Sequence, residues 1–354
     1  MSKVDSHGSG VVLALDLGGT QIRVALVGDD GSVSHRSNTR TPVSHGPEAI
    51  VAACVVALTE VHEQLVRESG GGGPAGVRGI GISAPGPVDP FLGVIVDPPN
   101  LGPAFRDIPL AERASEALGL PAFLDRDTQV AAMAERTFGA ARGCDDFVYI
   151  TVSTGCGGAI VSGGRLLRGP DGTAGEIGHL LVDRAGPPCG CGASGHLEAI
   201  TSGVAMTRAA RAAAEDGGGT ALAEVIATTG PSFGAREVVA AAATGDPTAA
   251  AIVDDACDAF AQACVTLVDL FNPELIVVGG SLAAGLGDRL LAPARETVAA
   301  FAFSMAARRV RIVPATLGDD VGLVGASVLV RDRLSVEADE ATGAPRAARL
   351  RGGR

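Results

Sequence analysis

The stretch VVLALDLGGTQIRVALVGDDGSV, residues 11–33, decides how the fold of this chain is interpreted. It begins as an apolar strand, turns at Gly18-Gly19, and continues as a second apolar strand up to an Asp-Gly turn. Two adjacent glycines followed by Thr20 let backbone N–H groups approach a phosphate closely, and Asp16 could hold Mg²⁺ through water. An ordinary β-hairpin is the alternative interpretation of the same residues.

The pattern returns in FVYITVSTGCGGAIV, residues 147–161, which again predicts a strand, a Gly-rich turn and a strand. Two similar hairpins predict a duplicated fold in which each hairpin begins one α/β half. A third Gly-rich turn, Gly279-Gly280, follows the predicted strand ELIVV. Two such turns facing each other could clamp a polyphosphate chain from both sides.

Apolar residues at three- and four-residue spacing predict the helices. These cover residues 48–68, 110–118, 128–141, 203–214, 235–243 and 249–271, and residues 317–329 predict a Gly-rich turn followed by a closing helix. The predicted strand AFLDRD places Asp125 and Asp127 at its carboxyl end, where α/β sheets hold ligand-binding groups. Residues 79–84 match G-x-G-x-x-A, but Pro85 follows where a helix should begin, so we expect no dinucleotide site there.

Composition and charge narrow the class of protein. The chain has 354 residues, enough for two domains, and 46% of them are hydrophobic. A net charge of −12 argues against non-specific nucleic-acid binding. Lys3 is the only lysine, which excludes Walker A NTPases, protein kinases and Schiff-base enzymes, since all need an internal lysine. Without a signal-peptide pattern or an apolar run of transmembrane length, we expect a cytoplasmic protein.

The stretch GEIGHLLVDRAGPPCGCGASGHLE, residues 175–198, combines His, Cys and Glu residues in a Gly-rich loop. Nitrogen and thiolate ligands in this order suit one tetrahedral zinc ion, which predicts a site formed by His179, Cys189, Cys191 and His196. A flexible loop with two free thiols is the alternative interpretation.

Phosphoryl transfer to a hydroxyl group fits the combination of these motifs, because it requires positioning, Mg²⁺ and one base. A carboxylate within reach of the acceptor hydroxyl could be that base. Glu176, His179 and Glu198 could hold the other hydroxyls of a polyol, since each side chain hydrogen-bonds in a fixed direction.

On these motifs the chain resembles the ROK family of sugar kinases, in the actin/hexokinase-like ATPase superfamily. The matching stretches are LALDLGGTQIRVAL, GISAPGPVD with PPNL, DRDTQVAAMAE, STGCGGAIV, GEIGH, CGCGASGHLE, NPELIVVGG and LGDDVGLVGAS. The resemblance implies an α/β protein with a duplicated actin-like ATPase fold and its active site in the cleft between two domains. We expect a small domain of residues 1–122 plus about 316–333, a large domain of residues 123–315 with the zinc loop, and a disordered tail at 334–354.

The resemblance also implies roles for single residues. It makes Asp127 the general base on the 6-hydroxyl of a hexose. The residues expected to contact the sugar are Asn100, Arg126, Asp127, Glu176, His179 and Glu198. Those expected to bind ATP are Asp16, Gly18, Gly19, Thr20, Arg23, Thr154, Gly155, Cys156, Gly157, Gly279 and Gly280. The expected cofactors are ATP, Mg²⁺ and a structural Zn²⁺ that ties the sugar pocket to the loop.

Two residues depart from the family pattern. Arg126 stands where the family usually has an asparagine that hydrogen-bonds a sugar hydroxyl. It could turn away, reshape the pocket for another ring, or pair with Asp127 and lower the pKa of that carboxyl. His196 replaces the family's usual third cysteine, which gives a zinc site of two cysteines and two histidines.

We therefore expect an ATP-dependent, glucokinase-like sugar kinase. Its acceptor stays open among glucose, an N-acetylhexosamine, fructose and a sugar-like cyclitol, and its donor between ATP alone and polyphosphate as well. A catalytically weak sugar sensor and a ROK-type repressor are the alternatives, the repressor being disfavoured because only fifteen residues precede Asp16. The expected partners are the sugar and ATP, without nucleic acid or membrane, in a homodimer or homotetramer.

Overall fold

A computed structural model describes the chain over residues 10–68, 76–216 and 220–342, without the side chains of residues 220 and 338–342. The chain separates into two compact units. Unit 1 comprises residues 1–134 and 319–354, and unit 2 comprises residues 135–318.

Unit 1 is built on a five-stranded sheet. Its strands are β1 (Val11–Leu17), β2 (Gln21–Val27), β3 (Val33–Arg40), β4 (Val77–Ala84) and β7 (Ala122–Arg126), in the order β3-β2-β1-β4-β7. A separate hairpin joins β5 (Val88–Asp89) and β6 (Val94–Ile95). The helices are α1 (Pro47–Glu68), α2 (Leu110–Leu118), α3 (Asp127–Phe138), which continues into unit 2, and α12 (Val321–Thr342). Strand β1 is antiparallel to β2 and parallel to β4, which is parallel to β7.

Both faces of this sheet are covered. Leu13 and Leu15 are fully buried in a core that α1 and α2 complete on one face. Ala14 faces the other side, where it packs in a cluster with α12. A Cβ on Gly81 would overlap the carbonyl oxygen of Ala326, so the glycines of the G-x-G-x-x-A motif allow α12 to lie close to β4.

Helix α1 is long and apolar enough to cross a membrane by length and composition alone, which corrects the expectation that no apolar stretch reaches that length. Core helices of soluble proteins pass the same test. Ile50, Cys54 and Leu58 are fully buried in the core of unit 1, so this helix buries an apolar face against the sheet.

Unit 2 repeats the same sheet architecture. Its strands are β8 (Phe147–Val152), β9 (Cys156–Ser162), β10 (Arg165–Leu166), β11 (Leu275–Gly279) and β12 (Arg311–Pro314), in the order β10-β9-β8-β11-β12. Its helices are α4 (Glu198–Thr201), α5 (Gly203–Glu215), α6 (Thr220–Thr229), α7 (Ala235–Ala243), α8 (Pro247–Phe271), α9 (Ser281–Leu286), α10 (Asp288–Phe301) and α11 (Ser304–Arg309). Single turns of 3₁₀ helix cover Val43–His45, Ile177–His179, Gly230–Ser232 and Gly318–Asp320.

The two sheets share one strand order: third, second, first, fourth and fifth strand of each sheet, counted along the chain. In both, the first two strands form an antiparallel hairpin and the fourth and fifth add in parallel. The predicted α/β class and the duplication are therefore confirmed, and the mixed sheets match the actin-like ATPase fold.

The observed boundaries differ from the expected domains. Strand β7 pairs with β4 over residues 122–126, so it belongs to the sheet of unit 1 rather than to a large domain that begins at residue 123. Helix α12 continues through residue 342, beyond the predicted loss of order after 333, because residues 334–342 lack glycine and proline. The rest of the predicted tail, residues 343–354, lies outside the described residues, as does Lys3.

Candidate active site and metal centre

In unit 1, the carboxyl ends of three parallel strands bring Asp16, Ser83 and Asp125 side by side. Because neighbouring strands are about 4.8 Å apart, Asp16 and Asp125 are separated by about 10 Å across the sheet. Asp16 forms an ion pair with Arg23, whose Nη1 also donates to the carbonyl oxygen of Asp319 at 2.7 Å. The guanidinium that was expected to contact ATP is thus engaged inside unit 1, where it fixes Asp16.

The Gly-Gly turn of unit 1 is closed by a backbone hydrogen bond of 2.9 Å from Gly18 to Gln21. Thr20 is exposed at this turn. A Cβ on Gly19 would lie 2.8 Å from the carbonyl oxygen of Asn100, so only glycine lets the segment of Asn100 pack on the turn. The Asn100 side chain is therefore held beside the predicted phosphate-binding backbone.

Asp127 and Arg126 have opposite environments although they are neighbours. Asp127 is exposed as the first residue of α3, and its Oδ1 accepts from the backbone N–H of Thr128 at 2.7 Å. The Arg126 residue is only 5% exposed. A Cβ on Gly86 would lie 2.8 Å from Cδ of Arg126, so the arginine stem packs against the loop after β4. Arg126 is thus part of the protein interior, while Asp127 faces solvent.

In unit 2, the GEIGH stretch is fixed on strand β9. Gly178 lies so close to the strand that a Cβ would overlap the carbonyl oxygen of Cys156, and Ile177 is 2% exposed against Gly158. The residues on either side, Glu176 and His179, are exposed. Two buried contacts therefore present a carboxylate and an imidazole at the surface of unit 2.

Glu198 contacts the predicted phosphate turn of unit 2. Thr154 and Gly155 form this turn, and Cys156 and Gly157 begin β9. Oε2 of Glu198 accepts from the backbone N–H of Cys156 at 2.9 Å. Burial raises the pKa of the Cys156 thiol, and the Glu198 charge raises it further, so this side chain stays protonated and is no nucleophile.

A cavity of about 1030 Å³ lies next to this turn within unit 2. It is lined by Ser153 and Thr154 of the turn, by faces of α5 and α7, and by Ser281 after β11. Gly279 ends that strand, and Gly280 has φ 95° with no room for a Cβ beside β8. The sequence predicted these glycines and both helices, but it did not indicate that α5 and α7 line a cavity, because their small apolar residues resemble ordinary core faces.

The four predicted metal ligands come together in unit 2. Ligand atoms of His179, Cys189, Cys191 and His196 all lie within 4.8 Å of one another. The two Nδ1 atoms are 3.2 Å apart, Cys191 Sγ is 3.4 Å from His196 Nδ1, and Cys189 Sγ is 4.0 Å from His179 Nδ1. Zinc bond lengths in a tetrahedron imply about 3.3 Å between two nitrogens and about 3.6 Å between nitrogen and sulfur. The donor set therefore fits zinc in both chemistry and spacing.

Backbone hydrogen bonds fold the loop around these ligands. The carbonyl oxygen of Gly195 accepts from Val182 N at 2.9 Å, and Gly195 N donates to Pro187 O at 2.9 Å. Cys189 N donates to Ala193 O at 2.7 Å. Burial raises the pKa of the Cys189 thiol, whereas a bound metal would favour the thiolate. A loop closed by its own backbone needs little rearrangement to accept a metal ion.

Comparison with known proteins identifies relatives along nearly the whole chain. The model of the ROK family matches residues 12–333. A glucokinase from Thermotoga maritima is 32% identical over 323 residues, covering 91% of this chain and 98% of that protein. An N-acetylmannosamine kinase from Shigella flexneri is 35% identical over 323 residues, covering 90% of this chain and 98% of that protein.

Solved structures resemble the chain to a similar extent. The structure of a ROK family glucokinase from Streptomyces griseus, in complex with glucose and AMPPNP, is 32% identical with a TM-score of 0.74. The match covers 91% of this chain and 100% of that one.

Proposed function

Because the chain belongs to the ROK family, we propose that it is an ATP-dependent sugar kinase. The observation that carries this proposal is the cavity of about 1030 Å³ that adjoins the turn at Ser153 and Thr154. It is large enough for a nucleotide, and its walls carry both apolar and hydroxyl side chains. Relatives named as sugar kinases, and a similar protein solved with glucose and AMPPNP, support the same activity.

In this proposal the adenosine occupies the cavity and the phosphates follow the turn. Small apolar side chains of α5 and α7 offer a surface for the base, since they leave room for a flat ring. Ser153 and Ser281 lie with their hydroxyl oxygens 2.9 Å apart and could hold the ribose. Polyphosphate needs no such cavity, so we favour ATP as the donor.

Asp127 is the proposed general base on the 6-hydroxyl of a hexose. Its exposure at the start of α3 leaves the carboxylate accessible to a hydroxyl proton. Asn100, Glu176, His179 and Glu198 would hold the other hydroxyls, and all except the half-buried Glu198 are exposed. These side chains combine donors and acceptors, as recognition of a polyol requires.

The proposed metals have separate roles. Zinc bound by His179, Cys189, Cys191 and His196 would have four protein ligands and no open position, which makes it structural. Magnesium would neutralise the phosphates during transfer. Asp16 would hold it through water, because Arg23 already occupies the carboxylate.

The buried position of Arg126 does not decide which sugar accepts the phosphoryl group. The family's usual asparagine would offer an amide to the sugar, whereas Arg126 is 5% exposed and packs on Gly86. Loss of that amide favours an acceptor other than glucose as the second candidate, such as an N-acetylhexosamine, fructose or a cyclitol. One relative is named as an N-acetylmannosamine kinase, which supports this alternative.

A panel of acceptors tests the proposal. Each sugar or cyclitol would be incubated with ATP and Mg²⁺, and ADP release would be followed by a coupled assay. Turnover with at least one acceptor is expected, with less than a tenth of that rate on polyphosphate. If no acceptor gives turnover while one still raises the melting temperature, the chain is a sugar sensor and the kinase proposal fails.

A homodimer or homotetramer remains our proposal for the assembly. Phe301, Phe303 and Met305 in unit 2 are 76%, 68% and 69% exposed, and Leu270 beside them is 67% exposed. The backbone N–H of Phe303 donates to Asp269 at 2.7 Å, which holds these apolar side chains together. Such a patch is typical of an interface, and light scattering of wild type and Phe303→Ser would test it.

A further inference from the structure

Arg208 joins the metal-ligand loop to the helix that lines the cavity. It lies on α5 within unit 2. Its Nη1 donates to the carbonyl oxygen of Pro188 and its Nη2 to that of Ala199, both at 2.8 Å. Pro188 directly precedes the first cysteine ligand, and Ala199 directly follows Glu198. One guanidinium therefore holds both ends of the segment that carries three of the four metal ligands.

The same helix is attached to the phosphate turn. The backbone N–H of Gly203 donates to Ser153 O at 2.8 Å, and that of Val204 donates to Thr154 O at 3.2 Å. Side chains along α5, including Arg208 itself, then form one wall of the cavity. A shift of α5 would thus alter both the cavity and the turn beside it.

We propose that Arg208 is a positioning residue that couples metal binding in the loop to nucleotide binding in the cavity, an inference that rests on the proposed function. The planar guanidinium can donate to two fixed carbonyl oxygens at once, whereas the ammonium group of a lysine would reach only one of them. With the metal bound, Pro188 and Ala199 are held in place and Arg208 fixes α5. Without it, only the loop's own hydrogen bonds hold these acceptors, so the guanidinium restrains α5 less firmly.

Arg208 acts through α5 rather than on the nucleotide, because its terminal nitrogens already donate to the loop. Arg211 provides a matched comparison one turn further along. It lines the same cavity, stacks on Phe233 with its guanidinium carbon 5.4 Å from the ring centre, and donates to Gly230 O. None of its described contacts involves the metal-ligand loop, so replacing it should change nucleotide affinity without changing how that affinity depends on the metal.

The first experiment measures ADP affinity by titration calorimetry for zinc-loaded and chelator-stripped protein. In wild type, stripping should weaken ADP binding on the order of tenfold, within the usual range of coupling between sites. Arg208→Met, which keeps the apolar stem and removes the donors, should reduce this ratio to about threefold or less, and Arg208→Lys should fall between. The ratio should stay near the wild-type value in Arg211→Met.

The second experiment does not require stripped protein to remain folded. ADP that fixes α5 should also restrain the loop through Arg208, so saturating ADP should slow the release of zinc to a colorimetric chelator in wild type but not in Arg208→Met. Equal release rates with and without ADP in wild type, or an undiminished effect in Arg208→Met, would overturn the coupling. If wild type binds no ADP at all, the proposed function falls with it, so the two failures are distinguishable.

Discussion

Replacing Glu135 should destabilise the protein strongly, although no role in binding or catalysis is proposed for this residue. Glu135 is completely buried in unit 2. Its Oε1 accepts from the backbone N–H groups of Thr316 and Leu317 at 2.9 and 3.0 Å. Its Oε2 accepts from Ala140 N at 2.6 Å and from the Thr316 hydroxyl at 3.2 Å. One buried carboxylate thus accepts hydrogen bonds from four part-buried donors.

The expected magnitude follows from the donors that each substitution leaves unpaired. Glu135→Ala removes the acceptor of three part-buried backbone N–H groups, and each hydrogen bond to this charged group contributes about 1.5 kcal/mol, so the free energy of unfolding should fall by about 4 kcal/mol. Glu135→Gln keeps one oxygen for Thr316 and Leu317 but turns an amide NH₂ toward Ala140, which should cost about 2 kcal/mol. Thr316→Val loses only the hydroxyl hydrogen bond, about 1 kcal/mol.

Urea unfolding monitored by circular dichroism would measure this series. Glu224 is a matched control, because it is an exposed helical glutamate in the same unit. Glu224→Ala and Glu224→Gln should change the free energy of unfolding by less than about 0.5 kcal/mol. If Glu135→Ala is no more destabilising than Glu224→Ala, or if the glutamine and alanine variants are equal, the hydrogen-bond argument is wrong.

Four further outcomes are expected. Asp127→Asn should lower kcat at least about 100-fold while a bound sugar still raises the melting temperature, and retained turnover would place the base elsewhere. Wild type should contain roughly one zinc ion per chain, and Gly195→Ala should contain less. The new Cβ would overlap a carbonyl oxygen of the loop, at a residue whose φ is 74°. An unchanged zinc content in this variant would contradict the argument. Arg126→Asn should shift the ratio of kcat/KM between glucose and the other acceptors, and an unchanged ratio would exclude a role for this position in selectivity. Burial raises the pKa of the Cys54 thiol to about 12, so at pH 8 this side chain lacks reactive thiolate. When chelator-stripped protein is treated with iodoacetamide at that pH, mass spectrometry should find the exposed Cys191 labelled and the buried Cys54 intact.

Local patterns predicted the elements that local interactions determine. The helices at 110–118 and 235–243 begin and end where the periodicity predicted, and both hairpins with Gly-containing turns were identified from the sequence. Helix α10 was missed because Pro293 interrupts its pattern, yet the fold accommodates that proline inside the helix. Strand β3 was missed because it is an edge strand with mostly exposed polar residues and therefore lacks an apolar run.

The candidate site was predictable to the extent that its residues are close in sequence. The metal ligands lie within eighteen residues, and their spacing predicted the cluster that the structure contains. The cavity was not predicted, because its walls come from helices that meet only in the folded unit. The environment of Arg126 also depends on a distant contact, the close approach of Gly86, and nothing in the local sequence indicates that the arginine is buried.

The position of Cys156 explains why a metal would matter to a site that it does not form. Gly178, directly before the first ligand, lies against the carbonyl oxygen of Cys156, and Glu198, two residues after the last ligand, accepts from its N–H at 2.9 Å. The two flanks of the metal-ligand segment therefore meet at Cys156, which directly follows the predicted phosphate turn. Closing that segment with zinc would fix the distance between its flanks, and with it the placement of Glu176 and Glu198 relative to the turn.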